Sequence, residues 1–431
     1  MGRSMLLIVS GLVIVTGIVQ RGINNRNKLL PERSATYYYE LQARNNSRSL
    51  VDLAIRKIIE DNSWTGTLNS DQYSQGSVSL TLYDNTNIAD YASASSVPLD
   101  TIGWNADYSV VLHSISQVAQ CTVATTATLR RDSYSVFSYY TDNQPSNIWF
   151  MDQDVISGQM HTNGTFRIAG SPVFNGFVSS PNSWVGHSSY TNTPQFNMGS
   201  NFSAPTRPTP DNFEISKLQT NASSGGLRYN NFIQVSLLDT LVDIREWTGS
   251  NWGSATQYDL RSFNGIISST RDVYIQGRLD GQLTVHSDDD IQIYGDITYA
   301  DDPRVNPDSD DILGLIGESE VYVTSNAHSY NGSRDLEIHA SIMALSTSFE
   351  VSGYNSGSAK GELEILGGII QDTRGPVATF SGGVVQTGYT KDYQYDLRLQ
   401  NMAPPFFPRE SIFSVQFWKD NMVSSPSCGT I

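Results

Sequence analysis

The sequence predicts a mainly β protein with a long N-terminal α-helix, in which a small α+β unit precedes a body built like a parallel β-helix, a solenoid of stacked coils. Three observations lead there. Residues 1–60 hold an uncharged apolar run followed by apolar residues at helical spacing. Four segments between 64 and 143 alternate apolar and polar residues in the manner of strands. From about Asn147 the chain breaks into apolar triplets punctuated by Gly, Asn and Asp. At 431 residues the chain exceeds what one core fills, so several folding units are expected.

The first element begins with Met5 to Val19, fifteen residues without a charge, flanked by Arg3 and Arg21. As a helix this run would be about 22 Å long, short of the roughly 30 Å hydrocarbon core of a bilayer. Val19-Gln20-Arg21-Gly22 offers no small-residue cleavage site of the secretory kind. A membrane anchor, or a helix that packs with like helices in a filament, fits the run best. Pro31 is expected to break or kink the helix, and Ser34 to cap a second, amphipathic one. In that second helix Leu41, Leu50, Val51, Ala54, Ile55, Ile58 and Ile59 recur at three- and four-residue steps. Residues 1–62 thus read as a stalk.

The next unit, 63–146, is expected to be a small β-rich head. Its strands are Val78–Tyr83, Tyr108–Ile115, Cys121–Leu129 and Tyr134–Tyr140. Residues 147–405 form the expected solenoid. Its triplets include Val273-Tyr274-Ile275, Ile291-Gln292-Ile293, Val321-Tyr322-Val323, Phe349-Glu350-Val351 and Leu363-Glu364-Ile365, each with apolar residues two apart. A Ser-, Asn- and Pro-rich stretch at about 181–260 reads as a mobile insertion. Gly367-Gly368 and Gly382-Gly383 read as tight turns. Residues 406–431, where Phe413, Val415 and Phe417 alternate, read as a cap over the open end of the solenoid.

Charge is unevenly spread. Residues 1–60 carry a net +5 and the remainder −21. An acidic body argues against nucleic acid as a partner, because phosphate contacts need a basic stripe. A basic stalk beside an apolar run suits a membrane face. Cys121 and Cys428 show no metal or redox spacing; a disulfide between them and two unrelated buried thiols both fit.

The apolar spike, the neck and the half-buried helix leading into strands resemble type IV pilins, above all minor pilins and pseudopilins with a PilX-type N-terminal segment. That resemblance implies insertion in the inner membrane, cleavage after Gly2 by a prepilin peptidase, and packing of the helix in a filament core. Cutting there would put Leu7 at the fifth mature position, where most pilins carry a Glu, and would leave a two-residue leader. Trp149–Gly176, Asp290–Thr298, Leu313–Ile316, Gly361–Gln371, Tyr393–Arg398 and Pro404–Pro408 further resemble an uncharacterised family of prepilin-like surface proteins, which implies a structural role.

Chemistry is less legible. Asp288-Asp289-Asp290 and Asp308–Asp311 are acidic runs beside turn residues, where Asp serves the backbone; glycan cleavage and calcium binding are the sharper readings. The second run lacks the Gly and distal Glu of a calcium loop. His113, His161, His187, His286, His328 and His339 show no paired spacing, and Asn163, Asn201, Asn221 and Asn331 begin N-x-Ser/Thr triplets of little weight. No catalytic, cofactor-binding or metal-ligating residue is assigned, and no cofactor is expected. The leading expectation is a non-enzymatic subunit of a pilus-like or secretion-linked filament, anchored in the inner membrane and then carried to the cell surface for adhesion or scaffolding. Its partners would be like subunits. The alternative is a membrane-anchored β-helix enzyme or binding module for surface polysaccharide, favoured if Trp149, Trp184, Trp247, Trp252 and Tyr294 join acidic groups along one groove.

Overall fold

A computed structural model describes the backbone of all residues except 1, 62–63, 71–75, 103, 105–107, 153, 330–331, 333, 382–383 and 424–431; side chains are described except for these and 2–4, 6–7, 25–32, 70 and 213. The protein is mainly β, with several sheets and a long N-terminal helix. It divides into two compact units, Met1–Asp132 joined by Ile412–Ile431, and Ser133–Ser411. The expected boundaries at 62, 146 and 405 therefore give way to a division after Asp132 and a return at Ile412.

In the first unit, helix α1 (Gly2–Glu60) is continuous. Pro31 does not end it and Ser34 lies inside it, so the expected break and cap are corrected. A proline withholds one amide donor, and the turns on either side continue past that local loss. The second half of α1 lies on an antiparallel sheet. Its strands run in the order β1 (Thr67–Ser70), β2 (Ser77–Tyr83), β3 (Ser109–Val118), β4 (Cys121–Ser133) and the C-terminal strand Arg409–Met422. Leu50, Val51, Ala54 and Ile58 pack on Val78, Leu80, Leu82, Leu112, Ala127 and Leu129. Farther up the helix, Ala43 meets Val118 and Val123. Each such buried side chain contributes roughly 1.5–3 kcal/mol for the larger aliphatics.

The C-terminal strand corrects a second expectation. Its alternation does make a strand, but the strand completes this sheet instead of capping a solenoid, because the free edge of β4 offers unpaired backbone groups. Ser414 Oγ donates to the Arg130 carbonyl at 3.1 Å and to Asp132 Oδ2 at 2.7 Å. Asp420 accepts from Thr125 Oγ1 at 3.0 Å and pairs with Arg48 on α1. Cys121 is buried and held in a disulfide; Cys428, the second half of the pairing considered from sequence, lies outside the described residues.

The second unit is built on parallel ladders. Strand β5 (Phe137–Asn143), expected in the head, instead pairs in parallel with Gln159–Thr162 on one side and Ala359–Thr373 on the other. Away from β5 the first array runs through Gln159–Thr162, Val178–Ser179 and Ser200–Asn201. Two side ladders accompany it, Phe150–Met151 with Arg167–Ala169 and Val185–Gly186, and Val155–Ile156 with Val173–Phe174 and Gln195–Phe196. The second array starts at Leu227–Tyr229 and comes back through Ile266–Ser269, Gln282–Ser287, Ile312–Gly317 and Leu336–Ala344 to Ala359–Thr373. Parallel register stacks like on like. Val273, Ile291, Val321 and Phe349 form one buried column, and Ile275, Ile293, Val323 and Val351 the next.

Residues 181–260, expected to be an insertion or loop, carry regular secondary structure. They contain the last strands of the first array, an antiparallel hairpin of Ile233–Asp239 with Leu241–Glu246 and, after α1 and the short α2 (Ile88–Ala94) of the first unit, helix α3 (Asn212–Ser223). The stretch approaching α3 is tied to β5 and the residues before it: the Tyr140 hydroxyl donates to the Arg207 carbonyl at 2.8 Å and the Tyr134 hydroxyl to that of Pro208. Asp211 caps α3 by accepting from the Glu214 amide at 3.0 Å. Leu218 and Ala222 then pack among Ile266, Ile316 and Met343. Sparse apolar residues in a polar stretch hid this from sequence. Gly367-Gly368 is not a turn but the middle of Ala359–Thr373. Gly367 has φ +150°, and a Cβ there would lie 1.9 Å from the Ala340 carbonyl oxygen of the neighbouring strand. Gly382-Gly383 falls outside the described residues.

Candidate functional site

Two surfaces stand out, one in each unit. On α1 the described apolar side chains of the N-terminal run are exposed. Met5, Ile8, Leu12, Val13, Ile14 and Ile18 are each more than 60% exposed, and Val9, Val15, Val19 and Ile23 more than half. Exposure continues round the helix instead of forming one stripe. Among the described residues, no helix is long and apolar enough to cross a membrane. The Gly2 site considered for processing lies in α1, but its side-chain surroundings fall outside the described residues.

In the second unit, parallel register builds an acidic column. The residues just before the stacked strands are Asp272, Asp290, Glu320 and Ser348, whose carbonyls accept from the amides of Ile233, Val273, Ile291 and Val321 on the neighbouring strands at 2.9–3.2 Å. Beside them stack Tyr274, Gln292, Tyr322 and Glu350. Burial pushes the Asp272 carboxyl up, with Asp290 and Asp289 adding to it. Burial, then Glu350 and Asp290, raises Glu320 to about 7. Burial also raises Glu350. Trp252 lies edge-on to Trp247 and to Tyr274, each at 5.3 Å between ring centres. This face therefore joins carboxyls to aromatic rings.

Not every sequence candidate arrives there. Tyr294 is buried, its hydroxyl 3.4 Å from Ser236 Oγ. Trp149 packs edge-on to His187 at 4.7 Å, and Trp184 leans on the core. The Asp288–Asp290 run is split. Asp289 and Asp290 cluster with Asp272, whereas Asp288 takes the Arg228 guanidinium at 2.6 and 2.9 Å. In the second run, buried Asp311 accepts from the Gly281 and Asp301 amides at 2.6 and 2.8 Å, a structural turn role.

Three groups among the described residues bring carboxylate or imidazole donors within 4.8 Å of one another: His286, Asp288 and Glu318; Asp302, Glu337 and His339; and Asp272, Asp289 and Asp290. Arg304 occupies the second, reaching Asp302 at 2.6 Å and Glu337 at 3.0 Å and pairing with Glu364. Arg228 and Gln219 serve the first. Among the described residues no ion pair reaches the third. His161, fully buried, is held by Ser179 Oγ at 2.8 Å and Asn163 Oδ1 at 2.9 Å, and burial lowers it to about 4. Sequence reasoning missed the roles of Arg228 and Arg304. Asp302 is local to Arg304, but Asp288, Glu337 and Glu364 come from distant strands, and spacing along the chain carries no sign of them.

Residues 108–182 match the model of a family described as a domain of unknown function (DUF4900). The match begins in the head sheet and ends in the first array of the body. No curated protein matches the sequence. Among solved structures, the chain is similar to the crystal structure of the competence-associated pilin ComZ from Thermus thermophilus, at 11% identity and a TM-score of 0.33, over 89% of this chain and 98% of that one.

Proposed function

We propose that the chain is a non-enzymatic structural subunit of a type IV pilus-like or secretion-linked surface filament. It is held in the inner membrane through the first half of α1 and then assembled through that half, with like subunits as partners. The observation that carries this reading is the two-part character of α1: a naked apolar half, and a half whose other apolar residues are locked onto the head sheet. A helix so divided presents one end to other helices or lipid while the folded part stays outside. The parallel ladders of the second unit are read as coils of a β-solenoid displayed on the cell surface for adhesion or scaffolding.

The acidic and aromatic column favours a second reading, a membrane-anchored module that binds or cleaves surface polysaccharide. One experiment separates the two. The protein is sheared from cells and compared with the membrane fraction by intact mass and N-terminal sequencing. Protein beginning at Arg3 in the sheared fraction supports filament assembly. Uncut protein confined to membranes overturns it and favours the anchored module.

A further inference from the structure

A cavity of about 880 Å3 opens in the second unit, within the range of small-ligand sites. It is independent of the filament reading, and it shares Ser348 and Glu350 with the end of the acidic column. Its walls include the rings of Tyr139, Trp149, Phe150, Phe349 and Tyr393. Among these rings sits Arg374, only 7% exposed. Its guanidinium carbon lies 3.8 Å from the centre of the Phe150 ring and 5.7 Å from that of Tyr139. Nη2 reaches the Trp149 carbonyl at 3.5 Å, the limit of a hydrogen bond, and Nη1 is buried with no partner.

Its charged neighbours do not answer that cation. Asp154 is committed to Lys391, Nζ to Oδ1 at 3.0 Å. Glu350 turns its Oε2 to Ser348 Oγ at 3.4 Å, and burial favours its protonated form. Gln371 is fully engaged: its Oε1 accepts from the Phe349 and Gly375 amides, and its Nε2 donates to the Tyr139 hydroxyl. Ring faces offset part of the cost of burying a guanidinium, but a buried N–H left without an acceptor, on an arginine that lines the cavity, calls for one.

We propose that this cavity binds a small ligand carrying one carboxylate on a ring, the carboxylate meeting Arg374 Nη1 and the ring lying against the aromatic walls. Two chemistries supply that combination, an acidic sugar and an aromatic acid. A polyanion is a poor fit, because the site offers one guanidinium N–H without an acceptor and the chain carries −16 overall.

The test is calorimetric titration of the full-length chain in detergent with glucuronate and benzoate, each beside a neutral counterpart, glucuronamide and benzamide. At least one carboxylate is expected to bind, with its amide at least tenfold weaker. Binding of glucuronate alone identifies the sugar source, benzoate alone the aromatic acid, and both the shared chemistry. Arg374→Gln is expected to weaken binding at least tenfold with an unchanged melting curve. The proposal is overturned if neither carboxylate binds, if the amides bind as well, or if folded Arg374→Gln binds normally. Should that variant not fold, the carboxylate-to-amide comparison on the unaltered protein decides.

Discussion

Glu320 shows what stacking does to a single side chain. In the folded protein it holds its proton up to about pH 7, first through burial and then through Glu350 and Asp290. Unfolded, it releases that proton near the ordinary value of 4.5. Between those values the folded chain binds the extra proton, so its contribution to stability is present below about 4.5 and is lost as pH rises through 7. The side chain is partly exposed, and screening reduces the effect to about 1 kcal/mol. Glu320→Gln is therefore expected to stabilise the protein by about 1 kcal/mol at pH 8 and hardly at all at pH 4.5. An equal gain in urea melts at both values would refute the coupling. Gly367 is the backbone counterpart. With φ at +150° and the Ala340 oxygen where a Cβ would sit, Gly367→Ala should cost about 2 kcal/mol or more in the same melts. In the sequence the paired glycines signal a turn; the need for a missing Cβ arises from a strand brought alongside from the preceding coil, which local pattern does not encode.

Among the elements, α1 was the most legible. Leu50, Val51, Ala54 and Ile58 were picked out by their period and are the residues that meet the sheet. The same pattern also admitted Leu41 and Ile59, which are 43% and 59% exposed, because period identifies a stripe and not its edges. The two halves of the helix predict opposite behaviours. Leu50→Ala, at a side chain 1% exposed, should destabilise the first unit by about 3 kcal/mol. Ile14→Asp, at a side chain 62% exposed, should leave the melting curve of detergent-solubilised protein unchanged while removing the protein from sheared surface material. Loss of folding in the second variant would mean that the apolar run packs within its own subunit. The triplets of the body were equally plain, since Val273 and Ile275 or Val321 and Val323 alternate inward. Which triplet lies beside which was not, because the connections between coils differ in length and the chain re-enters the ladder from its far end after α3.

For the whole molecule, the division into Met1–Asp132 with Ile412–Ile431 and Ser133–Ser411 predicts two cooperative transitions in calorimetry. Leu50→Ala should lower one, and Val285→Ala, in the buried core of the ladders, the other by an amount set by about 1–3 kcal/mol of lost packing. A single transition moved by both variants would show that the units unfold as one. The sequence does not announce this division. The residues that complete the head sheet lie some 280 positions beyond β4, as the strand Arg409–Met422.

That late strand governs the order in which a nascent chain can mature. The ribosome delivers α1 and β1 to β4 first, yet β4 keeps a bare edge until residues past Arg409 have emerged. All of Ser133–Ser411 is synthesised in that interval, and its parallel ladders can form before the head sheet closes. The two ends of that unit finish side by side, the Tyr134 amide donating to the Pro408 carbonyl at 3.1 Å. A module spliced in through neighbouring ends can be lengthened, shortened or exchanged over evolutionary time without redrawing the sheet that carries it. The cost is a growing chain that needs protection at one strand edge until translation is nearly complete.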